Sequence, residues 1–70
     1  MDARALKAKM VLKDVSSEEL SKTIGIATVT FYRKLAGQTE FTQGEISGIA
    51  HALDLSRDEV FAIFFADDVS

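Results

Sequence analysis

Apolar positions along this 70-residue chain recur at intervals of three and four, which predicts amphipathic helices. Leu6 and Met10, with Val11 beside them, predict a first helix over roughly Ala3 to Lys13. Leu20 and Ile24 line one face of a second, and Phe31 and Leu35 line one face of a third. Ile46, Ile49, Ala50 and Leu53 mark a fourth, and Val60, Ile63 and Phe64 a fifth over residues 56–66. These residues, with Phe41 and Leu55, form the predicted core.

Polar residues fix where the helices begin. Ser16 with Glu19, Thr42 with Glu45 and Ser56 with Glu59 each have the spacing of a capping box. In such a box the hydroxyl accepts an orphan N–H, and the carboxylate accepts the N–H of the cap residue. Each box has its hydrophobic staple: Val15 with Leu20, Phe41 with Ile46, Leu55 with Val60. The third helix is the exception, because Ala27 cannot cap and Thr28–Tyr32 is a strand-favouring run. Its neighbours offer no partner strand, so tertiary context is expected to hold it helical. Gly25 and Gly37 stand where helices must stop and a positive φ is useful. Asp14 and Asp54 stand at equivalent places, each before an apolar residue and a serine; a left-handed conformation and an ordinary type I turn both suit them. The fold class read from this pattern is all-α, five helices in a single domain spanning 1–70.

The stretch SSEELSKTIGIATVTFYRKLAG, residues 16–37, therefore reads as two short helices about a tight turn at Gly25. That is the layout of a helix-turn-helix, whose second helix can lie in the DNA major groove. The string GIATVTFYRKLAG resembles the turn and recognition helix of the Cro/C1-type helix-turn-helix family of small phage repressors. The later FTQGEISGIAHALDLSRDEVFAIFF resembles the closing helices of small phage proteins in that group. The resemblance runs over roughly residues 6 to 65. It implies a five-helix, lambda-repressor-like bundle that binds an operator without a cofactor and occludes polymerase. It also implies a phage or prophage switch protein in a bacterial cytoplasm. Two departures stand out: Ala27 replaces the family's usual Ser or Thr cap, and Ser17 and Thr28 stand where Gln often contacts DNA.

Charge distribution bears on this expectation more than total charge does. The net charge is −3, yet residues 1–37 hold seven basic against four acidic groups, and residues 38–70 one against seven. A +3 front half is compatible with phosphate, since local sign governs such contacts. Lys7, Lys9 and Lys13 of the first helix either serve that purpose or form a solvated face. With no Cys there is no disulfide and no thiolate metal site. No apolar run approaches the ~18 residues of a membrane span, and the charged beginning lacks a signal core. The expected compartment is the cytoplasm.

Arg33 is the leading candidate to read a base, by two parallel hydrogen bonds to guanine O6 and N7; holding a phosphate or a carboxylate is the plainer role. Thr28, at the start of the recognition helix, can meet a base or a phosphate, or bond its own backbone. Val29 suits a thymine methyl, although single exposed apolar residues are ordinary. Tyr32 can bond a phosphate or lie over the core. Thr30 belongs to the same candidate surface, and Lys34 at its edge suits a solvated role better than a DNA contact. The backbone N–H groups near Ser17 form a natural phosphate seat, and Gln38 and Thr39 can hold the next phosphate along. His51, the only histidine, falls on the outer side of the fourth helix with no second ligand. The pairs Glu18/Glu19 and Asp58/Glu59 sit in first helical turns, where carboxylates favour the dipole. Asp67/Asp68 is a tail. No catalytic or metal site is expected.

Two partner classes follow. Duplex DNA is the first, with a homodimer built on the fifth helix. Phe61 and Phe65 lie about 100° around from Val60 and Phe64, which widens the apolar arc beyond one packed face. A twofold pair would set two recognition helices about one DNA turn apart. The alternative is that the first helix covers both rings. The rival function is a protein-interaction module, such as an antirepressor or antitoxin, which the acidic second half favours. A positive surface running from Arg33 to the second helix would speak for DNA; an acidic or apolar one would speak for protein.

Overall fold

The computed structural model describes residues 1–65. Ala66, the expected last residue of the fifth helix, and the acidic pair Asp67/Asp68 lie outside the described residues. Within them the chain is all-helical and has no strand. The helices are α1 (Ala3–Lys13), α2 (Ser17–Ile24), α3 (Thr28–Leu35), α4 (Gln43–Ala52) and α5 (Arg57–Val60), and α5 runs on as a π-helical turn, Phe61–Phe65.

All three predicted capping boxes form. Ser16 Oγ accepts from Glu19 N at 3.1 Å, and Glu19 accepts from Ser16 N at 3.0 Å. Thr42 with Glu45 and Ser56 with Glu59 repeat the exchange at 2.8–3.1 Å. Asp2 caps α1 by accepting from Ala5 N. Ala27 gives α3 no side-chain cap.

The helix ends share one construction. A residue in the left-handed region follows each of α1 to α4: Asp14 at φ 58°, Gly25 at 77°, Gly37 at 84° and Asp54 at 52°. Of the two conformations open to Asp14 and Asp54, both take the left-handed one. In each case that residue's N–H returns to a carbonyl three residues back, and the next N–H to one five back. Gly25 N to Lys22 O and Ile26 N to Ser21 O are one pair; Asp54 N to His51 O and Leu55 N to Ala50 O are another. This is the Schellman arrangement, which satisfies carbonyls a helix end would leave orphaned. After α1, α2 and α4 the following residue is half-buried and apolar (Val15, Ile26, Leu55), and the residue after it starts the next helix. Left-handed residue, apolar plug and cap thus turn the chain in three positions.

The core comprises Leu6, Met10, Leu20, Phe31, Leu35, Ile49, Leu53, Ile63 and Phe64, with Ile24, Phe41, Ile46, Leu55 and Val60 packed against it. Phe41 meets Phe31 and Phe64 edge-to-face, with ring centroids 5.7 and 5.9 Å away, and so joins α3 to the π turn. α2 lies close on α4: a Cβ at Gly48 would sit 2.9 Å from Ile24 Cγ2, so only glycine allows this approach. Asp2 N donates to Ile63 O at 2.7 Å and ties the start of the chain to the π turn.

Two expectations are corrected. Val11 was placed beside Leu6 and Met10, but it is 80% exposed. One step of 100° carries it off the stripe that Leu6 and Met10 share. The fifth helix does not stay α-helical but widens to a π turn at Phe61. No helix among the described residues is long and apolar enough to cross a membrane.

Candidate nucleic-acid interface

α3 keeps its helical form against its own β-branched residues because its inner face is fully used. Phe31 and Leu35 are buried, so the opposite arc must face outward. That arc carries Val29 and Arg33, with Tyr32 and Thr28 on its flank. Val29 is 56% and Tyr32 54% exposed, Arg33 is exposed, and Thr28 is half-buried. Among the described residues Arg33 has no ion-pair partner, and the Thr28 hydroxyl has none of the local hydrogen bonds its position offers. Thr30 is half-buried on the flank.

The other candidates are distributed around this arc. Tyr32 and Ser17 line the same groove, of about 630 Å³, together with Val11, Val15, Lys7 and Glu19. α1 therefore contributes to the surface beside the outer arc of α3. Within α2, Ser17 O accepts from the Ser21 hydroxyl at 2.6 Å, and this bond lets the only buried polar residue of the described chain enter the core. Gln38 and Thr39 are exposed in the α3–α4 connection, whose start is fixed by Gln38 N donating to Arg33 O at 3.0 Å. Thr39 lines a second hollow, of about 930 Å³, with Met1, Phe41 and Phe64.

Lys34 is neither solvated nor presented at the free surface. Its ammonium lies 2.7 Å from Glu45 Oε1, and the two side chains are only 11% and 13% exposed. It also donates to Glu40 O at 3.3 Å and sits 5.8 Å from the Phe41 ring centroid. On a helix wheel Lys34 lies on the flank toward α4, clear of the Arg33 arc. Nothing in the periodicity of α3 marks it, because its partner is on another helix, eleven residues on.

Burial by itself would raise the Glu45 carboxyl, but the Lys34 hydrogen bond and the Thr42 N–H outweigh it and hold the group below its ordinary value. The Ser16 N–H and hydroxyl hold Glu19 down in the same way, and the Lys9 ammonium followed by Ser56 holds Glu59 down.

Lys9 pairs with Glu59, so two cations of the front half are neutralised by carboxylates of the back half. The cations that remain exposed there are Arg4, Lys7, Lys13, Lys22 and Arg33. α1 and α3 contain no acidic residue at all, whereas α2 opens on Glu18 and Glu19. His51 is exposed, as its helix position requires. Phe61 and Phe65 are 64% and 55% exposed with ring centroids 6.2 Å apart, so α1 does not cover them. No family model matches the chain, and no curated protein or solved structure matches it.

Proposed function

We propose that this chain is a sequence-specific duplex-DNA-binding regulator of the Cro/C1 type, with α3 as its recognition helix. One observation carries the reading: α3 is clamped on its inner face yet presents Val29, Tyr32 and Arg33 outward, with half-buried Thr28 beside them and no carboxylate among them. Those side chains are the types that meet base edges, thymine methyls and phosphates. The three-residue turn between α2 and α3, with its left-handed Gly25, has the length of a helix-turn-helix turn. Exposed Arg4, Lys7 and Lys13 on α1, whose charged residues are all basic, supply further charge for the phosphate backbone. Bound at an operator in a bacterial cytoplasm, such a protein would repress by occlusion. Selection of bound sequences from random duplex DNA at two salt concentrations tests the reading. A recovered consensus supports it, and recovery of none at either salt overturns it.

A second reading is favoured by the groove beside Tyr32. Val11, Val15, Asp14 and Glu19 line it with Lys7 as its one cation, a surface better suited to a protein than to phosphate. On that reading the chain binds another regulator, as an antirepressor or antitoxin would. A binding constant that stays flat between low and physiological salt would select it.

The exposed Phe61/Phe65 pair supports a homodimer. Sedimentation at micromolar concentration should show a dimer that Phe61→Ser with Phe65→Ser converts to monomer. A monomeric parent that binds DNA as well as that variant would remove the dimer from the proposal.

A further inference from the structure

Each of the three capping-box glutamates holds its own helix start, but only Glu45 also holds a nearly buried cation. Its Oε1 accepts from Thr42 N at 2.8 Å and from Lys34 Nζ at 2.7 Å. Lys34 Nζ in turn donates to Glu40 O at 3.3 Å. One carboxylate oxygen therefore joins the end of α3, the middle of the α3–α4 connection and the start of α4. The connection is anchored at its near end by Gly37 N to Lys34 O and Gln38 N to Arg33 O, and at its far end by the Thr42 box. Between those anchors Gln38, Thr39 and Glu40 are exposed, and the Lys34 bond to Glu40 O is the one side-chain tie that reaches them among the described residues.

We propose that Glu45, acting through Lys34, is a positioning residue for DNA binding: the pair fixes the α3–α4 connection that carries Gln38 and Thr39 out of the end of α3, and neither member of the pair touches DNA. The inference rests on the DNA-binding reading. A nearly buried ion pair of this kind adds little net stability, since desolvation offsets its attraction, but it can fix one arrangement over others. It also reverses the usual electrostatic expectation. Removing a carboxylate near DNA relieves repulsion and should tighten binding; here it should weaken it.

The test uses the full chain and a labelled duplex carrying the sequence selected by the wild-type protein. Glu45→Gln keeps the capping box, because a glutamine oxygen can still accept the Thr42 N–H, but it removes the negative charge that holds Lys34. Lys34→Met keeps the apolar stem near Phe41 and removes the ammonium. Each should weaken binding by about threefold to thirtyfold, the range of couplings transmitted through neighbouring residues. The double variant should be no weaker than the worse single one, and the salt slope should stay at the wild-type value. Glu45→Gln binding as tightly as wild type or tighter overturns the proposal. So does a Lys34→Met slope shallower by about one phosphate's worth, which would make Lys34 a direct contact. Hydrogen exchange on free Lys34→Met gives a readout without DNA: the amides of Gly37 and Gln38, which bond Lys34 O and Arg33 O, should exchange faster while α2 and α4 stay protected, and unchanged exchange overturns the proposal even where Glu45→Gln does not fold. If the wild-type protein selects no DNA, the DNA reading itself fails; if it does and the variants match it, only this inference fails.

Discussion

The α2–α3 and α4–α5 joints turn the chain by the same device, share an aliphatic plug and differ in chemical kind at the other two positions. Both place a left-handed residue, then an apolar plug, then the first residue before a helix. At α4–α5 these are Asp54, Leu55 and Ser56, and Ser56 closes a capping box. At α2–α3 they are Gly25, Ile26 and Ala27, and no side chain caps α3. The first joint relaxes the backbone with glycine and leaves the helix start open. The second accepts an aspartate in an unfavourable conformation and closes the helix start. The helix proposed to read DNA is thus the one whose first N–H groups are left without a side-chain partner. Its position depends on packing of Phe31 and Leu35 rather than on its own cap.

Exchanging the left-handed residues should break this comparison most strongly. A Cβ at Gly25 would meet nothing within 4 Å, so the main cost of a side chain there is conformational. Gly25→Val should lower stability by about 2 kcal/mol, as a β-branched residue at φ 77° requires. Asp54→Gly should act oppositely and raise it by about 0.5–1 kcal/mol. Urea midpoints at neutral pH check both, and a neutral Gly25→Val would remove the backbone argument.

Exchanging the caps sharpens it next. Ala27→Ser should stabilise by about 1 kcal/mol, and Ser56→Ala should cost about as much. If Ala27→Ser gains nothing, the start of α3 is not short of a hydrogen-bond partner, and the contrast between the joints loses its meaning.

A smaller and broader effect follows from acid. Glu19, Glu45 and Glu59 all have folded-state values below their unfolded 4.5. Their contribution is therefore complete above pH 4.5 and lost as pH falls through the lowered values. Chemical denaturation between pH 7 and pH 3 should show this fall, and replacing all three by glutamine should make it shallower. An unchanged acid profile would remove the capping boxes as its source.

Most of the fold was legible because it is written in local terms. The boxes at Ser16, Thr42 and Ser56 are patterns of four residues, and the Leu6/Met10 and Phe31/Leu35 stripes are direct consequences of helical period. Features set by distant partners were not. The widening at Phe61–Phe65 follows no composition rule, and its neighbour in space, Asp2, is at the other end of the chain. Lys34 belongs with it: a lysine on a helix flank reads as solvated, and the carboxylate that holds it lies on another helix. On the candidate surface, the exposure of Val29 and Arg33 followed from the period, whereas the meeting of Tyr32 with α1 and Ser17 needed the tertiary structure.

The claim that the outer arc of α3 reads duplex DNA is tested most directly at Arg33. The wild-type chain and Arg33→Ala should be titrated against the selected duplex and against versions altered at each base pair in turn. The account predicts a loss of about 1–3 kcal/mol for Arg33→Ala, together with relaxed preference at one base position. Equal affinity of the two proteins for the selected duplex would contradict it.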